Sequence, residues 1–240
     1  MYIESTDSTN TLLKQLAAEG NPPEFIYAGF QTAGRGQMGN GWESEANKNL
    51  LCSILLPPRK NLFELNVAVS VAVYRMISEL GISELGIKWP NDIYWQDKKV
   101  AGILIENAII GNEIKYSIAG IGLNVNQTKW KTNAPNPVSL KQITGKEYDL
   151  DVLMQQLYAE MMKALDENVW EDYIAHLYRR EGWWYFAERE VSVVPSRVLT
   201  EHVENMFLAQ IKEVTEQGEL VLQAKEGTKK YHFKEIQFVL

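Results

Sequence analysis

A chain of 240 residues, 45% of them hydrophobic and 23% charged, is long enough to bury a sizeable core as one large domain or as a large one with a small companion. Its formal charge of −7 argues against a broad nucleic-acid footprint, which needs clustered Lys and Arg, and favours small ligands and protein partners. No basic start with an apolar run opens the chain, and no apolar stretch approaches the roughly 18 residues of a membrane span, so a cytoplasmic protein without membrane contact is expected. The single cysteine, Cys52, lies in the apolar run Leu50 to Leu56, which excludes an internal disulfide and suggests a buried strand thiol without a catalytic role.

Ser8, Thr9 and Asn10 precede Leu12, Leu13, Leu16 and Ala17, a pattern that predicts a capped helix closing at Gly20, with a cap that could also face a ligand. Phe25 to Phe30 and Leu50 to Leu56 read as buried strands around a long glycine-rich polar loop, Thr32 to Asn49. From Leu62 to Leu80 apolar residues recur at helical spacing and stop at Gly81, which predicts a core-facing helix. Ile87 to Trp95 and Lys99 to Ile110 read as strands joined at Asp97 and Lys98, and Gly111-Asn112 turns the second into Ile114 to Val125. The polar stretch Asn126 to Asp149 is expected to be loop with at most one helical turn, followed by helices near Leu150 to Glu167 and Trp170 to Arg180. From Glu190 the texture is β, with short strands at Val191 to Val194, Met206 to Val214, Leu220 to Ala224 and Lys229 to Phe233, and a domain boundary near Ala187.

Gly34-Arg35-Gly36-Gln37-Met38-Gly39 has the G-x-G-x-x-G spacing of a dinucleotide fingerprint, but Asn40-Gly41-Trp42 follows as a turn where that fingerprint needs a helix. A mobile loop is the better reading, with backbone N–H donors and Arg35 offered to an anion, although a plain surface loop with one solvated arginine explains the segment equally well. Lys88-Trp89-Pro90-Asn91-Asp92 concentrates a cation, an aromatic, a rigid turn and two polar groups, or else is a β-turn whose Asn91 and Asp92 bond their own backbone. In Lys99 to Glu106, alternation puts Lys99, Ala101, Ile103 and Ile105 on one face and Gly102 on the other, where a ligand ring could approach the backbone. Gly120 and Gly122 repeat the device, so two glycine-thinned strands suggest a flat pocket.

In their joint order these segments resemble the biotin protein ligase family. Ser8-Thr9-Asn10, Gln31, Gly34 to Trp42, Lys88 to Asp92, Lys99 to Leu104 and Gly120 to Asn124 match its motifs in turn, and the likeness runs from Ser8 through the terminal β region. Two later arginines of the family's glycine loop are Gln37 and Asn40 here. The resemblance implies an α/β (α+β) fold, with a mixed sheet and helices forming a catalytic domain over 1–186 and a small SH3-like barrel over 187–240. It also implies a form without the N-terminal DNA-binding domain that some members carry, since the pattern begins at Ser8. The implied activity joins biotin to ATP, with Mg²⁺, as biotinyl-5′-AMP and passes biotin to a lysine of a carboxylase carrier domain; a homodimer is possible. Carried over by resemblance, Lys99, Arg35 and Asp92 would be catalytic. Ser8, Thr9, Asn10, Gln31, Gly34, Arg35, Gly36, Gln37, Trp42, Lys99, Gly102 and Gly120 would bind biotin, and Arg35, Asn40, Trp42, Asn91, Asp92, Lys99 and Asn124 the nucleotide. No metal ligands are assigned. A lipoate or octanoate ligase or transferase of the same fold, and a noncatalytic biotin or nucleotide sensor, are the rival readings.

Overall fold

The computed structural model describes residues 1–36, 40–59, 61–111, 113–131, 136–189 and 206–240. It opens with a strand that the polar first residues do not announce, Tyr2–Thr6 (β1), which is mostly exposed because it forms one edge of a sheet. Helix α1 (Thr9–Ala18) then crosses to β2 (Phe25–Gln31), which pairs parallel to β1. Strand β3 (Leu50–Leu56), helix α2 (Leu62–Ser78) and strands β4 (Leu85–Lys88), β5 (Asp92–Trp95), β6 (Lys98–Ile110) and β7 (Glu113–Leu123) follow. They build a seven-stranded sheet of order β1-β2-β3-β7-β6-β5-β4, antiparallel apart from the first pair. Helices α3 (Leu140–Thr144), α4 (Leu150–Asp166) and α5 (Trp170–Ala175) come next. α3 starts with a Ser139–Gln142 capping box, and the Asp149 carboxylate accepts from the backbone N–H groups of Asp151 and Val152 at the start of α4.

The two faces of the sheet differ. Leu50, Ile54 and Leu56 of β3, with Ala101 and Ile103 of β6, bury themselves against the apolar stripes of α2 and α4, where Val69, Val73, Met154 and Leu157 are fully buried. On the other face Leu13 of α1 packs on Ile26 and Ile118, and beyond that small cluster the surface opens as a cavity.

Expectation and structure part in places that shape this cavity. The single strand expected over Ile87 to Trp95 is a hairpin, because Pro90 has no N–H for a ladder and the buried Asn91 amide turns to donate to the Ile103 carbonyl at 2.9 Å. The helix expected to reach Arg180 stops at Ala175, because the chain beyond it joins the sheet edge: the Ile87 N–H donates to the His176 carbonyl and the Tyr178 N–H to the Ile87 carbonyl. Lys99 is not on the Ala101 face. Ile93 faces Ala101 and Tyr94 faces Lys99, so Val100 is an extra residue, a β-bulge that turns Lys99 onto the face of Gly102.

A second, five-stranded antiparallel sheet has the order β11-β10-β9-β8-β12. Its first strand, β8 (Trp184–Glu188), begins ahead of Ala187; β9 (Met206–Val214), β10 (Leu220–Ala224), β11 (Gly227–Tyr231) and β12 (Ile236–Phe238) complete it. β11 starts earlier than Lys229, β12 had no sequence signal, and the strand expected at Val191 to Val194 lies outside the described residues. The sheet is fastened to the larger unit by side chains that donate to its main chain: Trp89 Nε1 to Gly218 O at 3.1 Å, Asn61 Nδ2 to Glu216 O at 2.9 Å, and Arg179 Nη1 to Val239 O at 2.6 Å. Arg180 adds a longer contact to Ile211 O at 3.4 Å.

Candidate active site

The cavity encloses about 990 Å³ between the open face of the larger sheet, the glycine-rich loop and the second sheet. Each residue expected from the sequence to be catalytic or ligand-binding lines it, save Gln37, which with Met38 and Gly39 lies outside the described residues.

One end is a polar nest around α1. Ser8 lies at the helix N-cap but makes no capping bond with its side chain; its N–H is held instead by Asp7 Oδ1 at 2.7 Å. Gln31 Oε1 accepts from both the N–H and the hydroxyl of Thr9, at 2.7 and 3.0 Å. Ser53 donates toward Thr9 Oγ1 at 2.8 Å and Asn10 Oδ1 at 2.6 Å. The other end of the Asn10 amide donates to Glu106 Oε2 at 2.7 Å and Leu104 O at 3.3 Å. With these atoms engaged, the Gln31 amide N–H group lies beside Gly34 and has no bond among the described residues.

The floor is glycine. A methyl group on Gly120 would stand 2.4 Å from Asn10 Oδ1, and one on Gly122 would stand 2.4 Å from Trp42 Cε2; on Gly102 it would meet Trp42 and the end of Lys99 at about 3 Å. The slot inferred from the two thinned strands therefore exists, and in this state the Trp42 indole and the Asn10 amide occupy it. Among the described residues the buried Trp42 Nε1 has no hydrogen-bond partner, nor do Asn124 Oδ1 and Trp130 Nε1 in the same cavity. Unpaired buried polar atoms are uncommon in native proteins, and three in one cavity fit a polar ligand.

Charged side chains line the same cavity. Lys99 Nζ lies 2.8 Å from Asp92 Oδ1, each side chain between a quarter and a third exposed, and 5.6 Å from the centre of the Trp42 ring. Arg35 Nη2 meets Glu106 Oε2 at 2.9 Å and Thr11 Oγ1 at 3.3 Å. The loop folds on itself through Gly36 N–H to Asn40 O at 2.6 Å and Trp42 N–H to Gly34 O at 2.9 Å, leaving Asn40 exposed at the rim. Asn91 and Asn124 direct their amide N–H groups to the carbonyls of Ile103 and Lys99, so both also shape the wall. Cys52 is fully buried and its thiol is pushed up to about 12 by loss of solvent.

Sequence reasoning noticed Lys88 in its motif but gave it no role, and gave none to Ser53, Glu106, Trp130 or Arg189, Phe233, Gln237 and Phe238 of the terminal β region, all of which line the cavity or bond to residues that do. Glu106 had a signal, since it follows Gly102 and Leu104 at strand period on the open face. Trp130 and Arg189 had none, because loop and tertiary packing bring them in.

The sequence pattern of the Biotin/lipoate A/B protein ligase family matches residues 2–124, and the chain belongs to that family. Among its relatives, the "Bifunctional ligase/repressor BirA" of Bacillus subtilis is 29% identical over 99% of this chain and 73% of its own length. The "Biotin--[acetyl-CoA-carboxylase] ligase" of Paracoccus denitrificans is 30% identical over 68% of this chain and 73% of its own. In fold, the chain is similar to "Biotin protein ligase from Aquifex aeolicus in complex with biotin and ATP", with a TM-score of 0.79 and 24% identity over 100% of this chain and 98% of that one.

Proposed function

We propose that the chain is an ATP-dependent biotin protein ligase, which forms biotinyl-5′-AMP and transfers biotin to a lysine of a carboxylase carrier domain. The observation that carries this reading is a single cavity lined by the Lys99–Asp92 pair, by Arg35 and by a glycine floor, in a chain whose relatives are named for biotin ligation.

The first step brings a carboxylate to a phosphate, and two anions approach only where fixed cations offset their repulsion. Lys99 stands on the floor for that purpose. Arg35 is held by Glu106 in this state and would exchange that carboxylate for the ligand's phosphate. The nest of Ser8, Thr9, Asn10 and Gln31, with Gly34 and Gly36 behind it, would match the ureido ring, since each buried polar group left unpaired costs roughly 1–3 kcal/mol. Gly102, Gly120 and Trp42 would enclose the bicycle, and Trp42 would shield the mixed anhydride from water. Asn40, Asn91 and Asn124 would lie along the nucleotide. In the second step the acceptor ammonium must lose a proton before its nitrogen attacks the acyl carbon and AMP leaves; Asp92 would orient it or take that proton. Mg²⁺ would enter as MgATP, held mainly by its phosphates, with Asp92 the cavity carboxylate that could meet it. Gln37, where the family has arginine, would hold phosphate less firmly, and Gln37→Arg is expected to slow adenylate release.

No helix among the described residues is long and apolar enough to cross a membrane. This reading places the reaction in the cytoplasm, on 1–186 as the catalytic unit with 187–240 as an appended one, and leaves both a monomer and a homodimer open, which sedimentation would separate. The decisive test is incubation with biotin, MgATP and a purified carrier domain, followed by intact mass of the carrier. A gain of one biotinyl group is expected. No gain with biotin, or a gain with lipoate instead, overturns the reading.

A further inference from the structure

Two deeply buried amides lie behind the cavity wall rather than on it, where the glycine-rich loop returns to the larger sheet: Asn49, just ahead of β3, and Gln127, shortly beyond β7. Gln127 Oε1 accepts from Asn49 Nδ2 at 2.6 Å and from the Glu45 N–H at 2.9 Å, while Gln127 Nε2 donates to Lys129 O at 2.8 Å. Asn49 Oδ1 accepts in turn from the Val125 N–H at 3.0 Å, and the Asn126 N–H donates to Lys48 O at 2.7 Å. Both lone pairs of the Gln127 oxygen are thus engaged. One side chain joins three pieces of chain: the root of β3, the returning limb of the glycine-rich loop, and the segment that leaves β7.

The two limbs tied in this way each carry a tryptophan into the cavity. Trp42 precedes Glu45 and stands over Gly102 and Gly122, and Trp130 follows Lys129 directly. A second tie runs between the same limbs, where the Lys131 N–H donates to Glu43 Oε1 at 2.6 Å. Apolar side chains could seat a loop on a sheet without taking amides out of water. A fully bonded buried amide does something they do not, since any shift of the segments it joins leaves groups unpaired, so it specifies one arrangement. Among the described residues Gln127 and Asn49 share no hydrogen bond with the side chains of Lys99, Asp92 or Arg35. What they fix is the seat of the two indoles.

We propose that Gln127, with Asn49 behind it, is a positioning residue that holds Trp42 and Trp130 over the biotinyl-adenylate and so keeps the intermediate from water and from escape until a carrier arrives. This rests on the ligase reading and deepens it. Where water does reach the mixed anhydride, it adds to the acyl carbon, the bond from that carbon to the phosphate oxygen breaks, AMP leaves with the electron pair, and the products are biotin, AMP and a proton.

Gln127→Met keeps the length of the side chain and removes all three bonds. In the ligand-free protein, amide hydrogen exchange should quicken about tenfold or more within 42–49 and 127–131 and keep its wild-type rate elsewhere. With biotin and MgATP, the first-turnover burst of pyrophosphate should stay within about twofold of wild type, because the charged groups are untouched. Loss of preformed adenylate without a carrier, by dissociation and by hydrolysis to AMP, should rise roughly tenfold. Unchanged adenylate loss in folded Gln127→Met overturns the proposal. So does an equal loss of the burst, or faster exchange over the whole chain, either of which would mark a purely structural amide. Should Gln127→Met fail to fold, Gln127→Asn, which keeps the amide but withdraws it by one methylene, decides by the same two readings. If wild type makes no adenylate from biotin and MgATP, the ligase reading fails by itself, and exchange in the two segments still decides whether Gln127 seats the tryptophans.

Discussion

Lys99 is counted correctly by the Lys-x-x-Gly spacing and placed on the wrong face by simple alternation, because the extra residue Val100 is invisible in a pattern of period two. Its replacement by alanine should leave the fold intact, since the side chain is partly exposed, and should lower biotin-dependent pyrophosphate release by at least a hundredfold, in line with the roughly 10²–10³ lost with a single preorganised donor. Near-normal release from folded Lys99→Ala would remove the assignment. Glu106 carried a strand-period signal but no visible partner: one carboxylate oxygen holds both Asn10 and Arg35. Glu106→Gln keeps the size and loses the charge, so biotin affinity should fall several-fold while Arg35 is freed, as titration calorimetry with biotin would show. Cys52 gives a pH check. A folded thiol held near 12 against its ordinary 9 keeps its proton where the unfolded thiol has lost one, so this residue's contribution to stability is intact below about 9 and declines as pH rises from there toward 12. Native Cys52 should therefore resist a thiol reagent at pH 8 and react fully in denaturant; rapid native labelling would contradict its burial.

At the scale of elements, strands that bury two faces announced themselves through continuous apolar runs, and helices α2 and α4 through their stripes. What was illegible was decided by partners distant in sequence: β1 is polar because it is an edge, and α5 is short because the sheet edge claims the chain after it. The glycine floor was legible as a slot but not its contents. Gly120→Ala is the element-scale test, since the new methyl would press on Asn10 Oδ1 and disturb the Ser53–Asn10–Glu106 chain. It should weaken biotin binding about tenfold or more, and lower stability by roughly 1–3 kcal/mol if a buried polar group is left unpaired. Equal biotin affinity in Gly120→Ala, measured by calorimetry beside a denaturant melt, would mean the strand yields without cost.

For the whole molecule, the second sheet supplies one wall of the cavity, so catalysis and docking of that sheet are expected to fail together. Arg179 joins Val239 O to the Asp97 carboxylate while its guanidinium lies 4.5 Å from the centre of the Trp184 ring. Arg179→Ala should cost roughly 1.5–3 kcal/mol, the range for a hydrogen bond from a charged group, and raise the KM for ATP more than that for biotin. Denaturant melts and initial rates measure both, and an unchanged KM for ATP would show that the wall is dispensable. The formal charge of −7 carries its own expectation, that the pure chain gives no salt-resistant, sequence-selective shift of duplex DNA. The fastenings of the second sheet also have an evolutionary meaning. Trp89, Asn61, Arg179 and Arg180 grip carbonyl oxygens at Gly218, Glu216, Val239 and Ile211, and a carbonyl oxygen persists whatever side chain the residue carries. At these four points the terminal sheet can change its side chains without losing the bond, provided its backbone path is kept, whereas Phe233 and Phe238, whose rings meet Trp89 and Tyr178, hold it through their side chains. Swapping this sheet for that of a distant relative should accordingly yield a chimera that still docks, with nucleotide affinity inherited from the donor of the sheet and biotin affinity from the host.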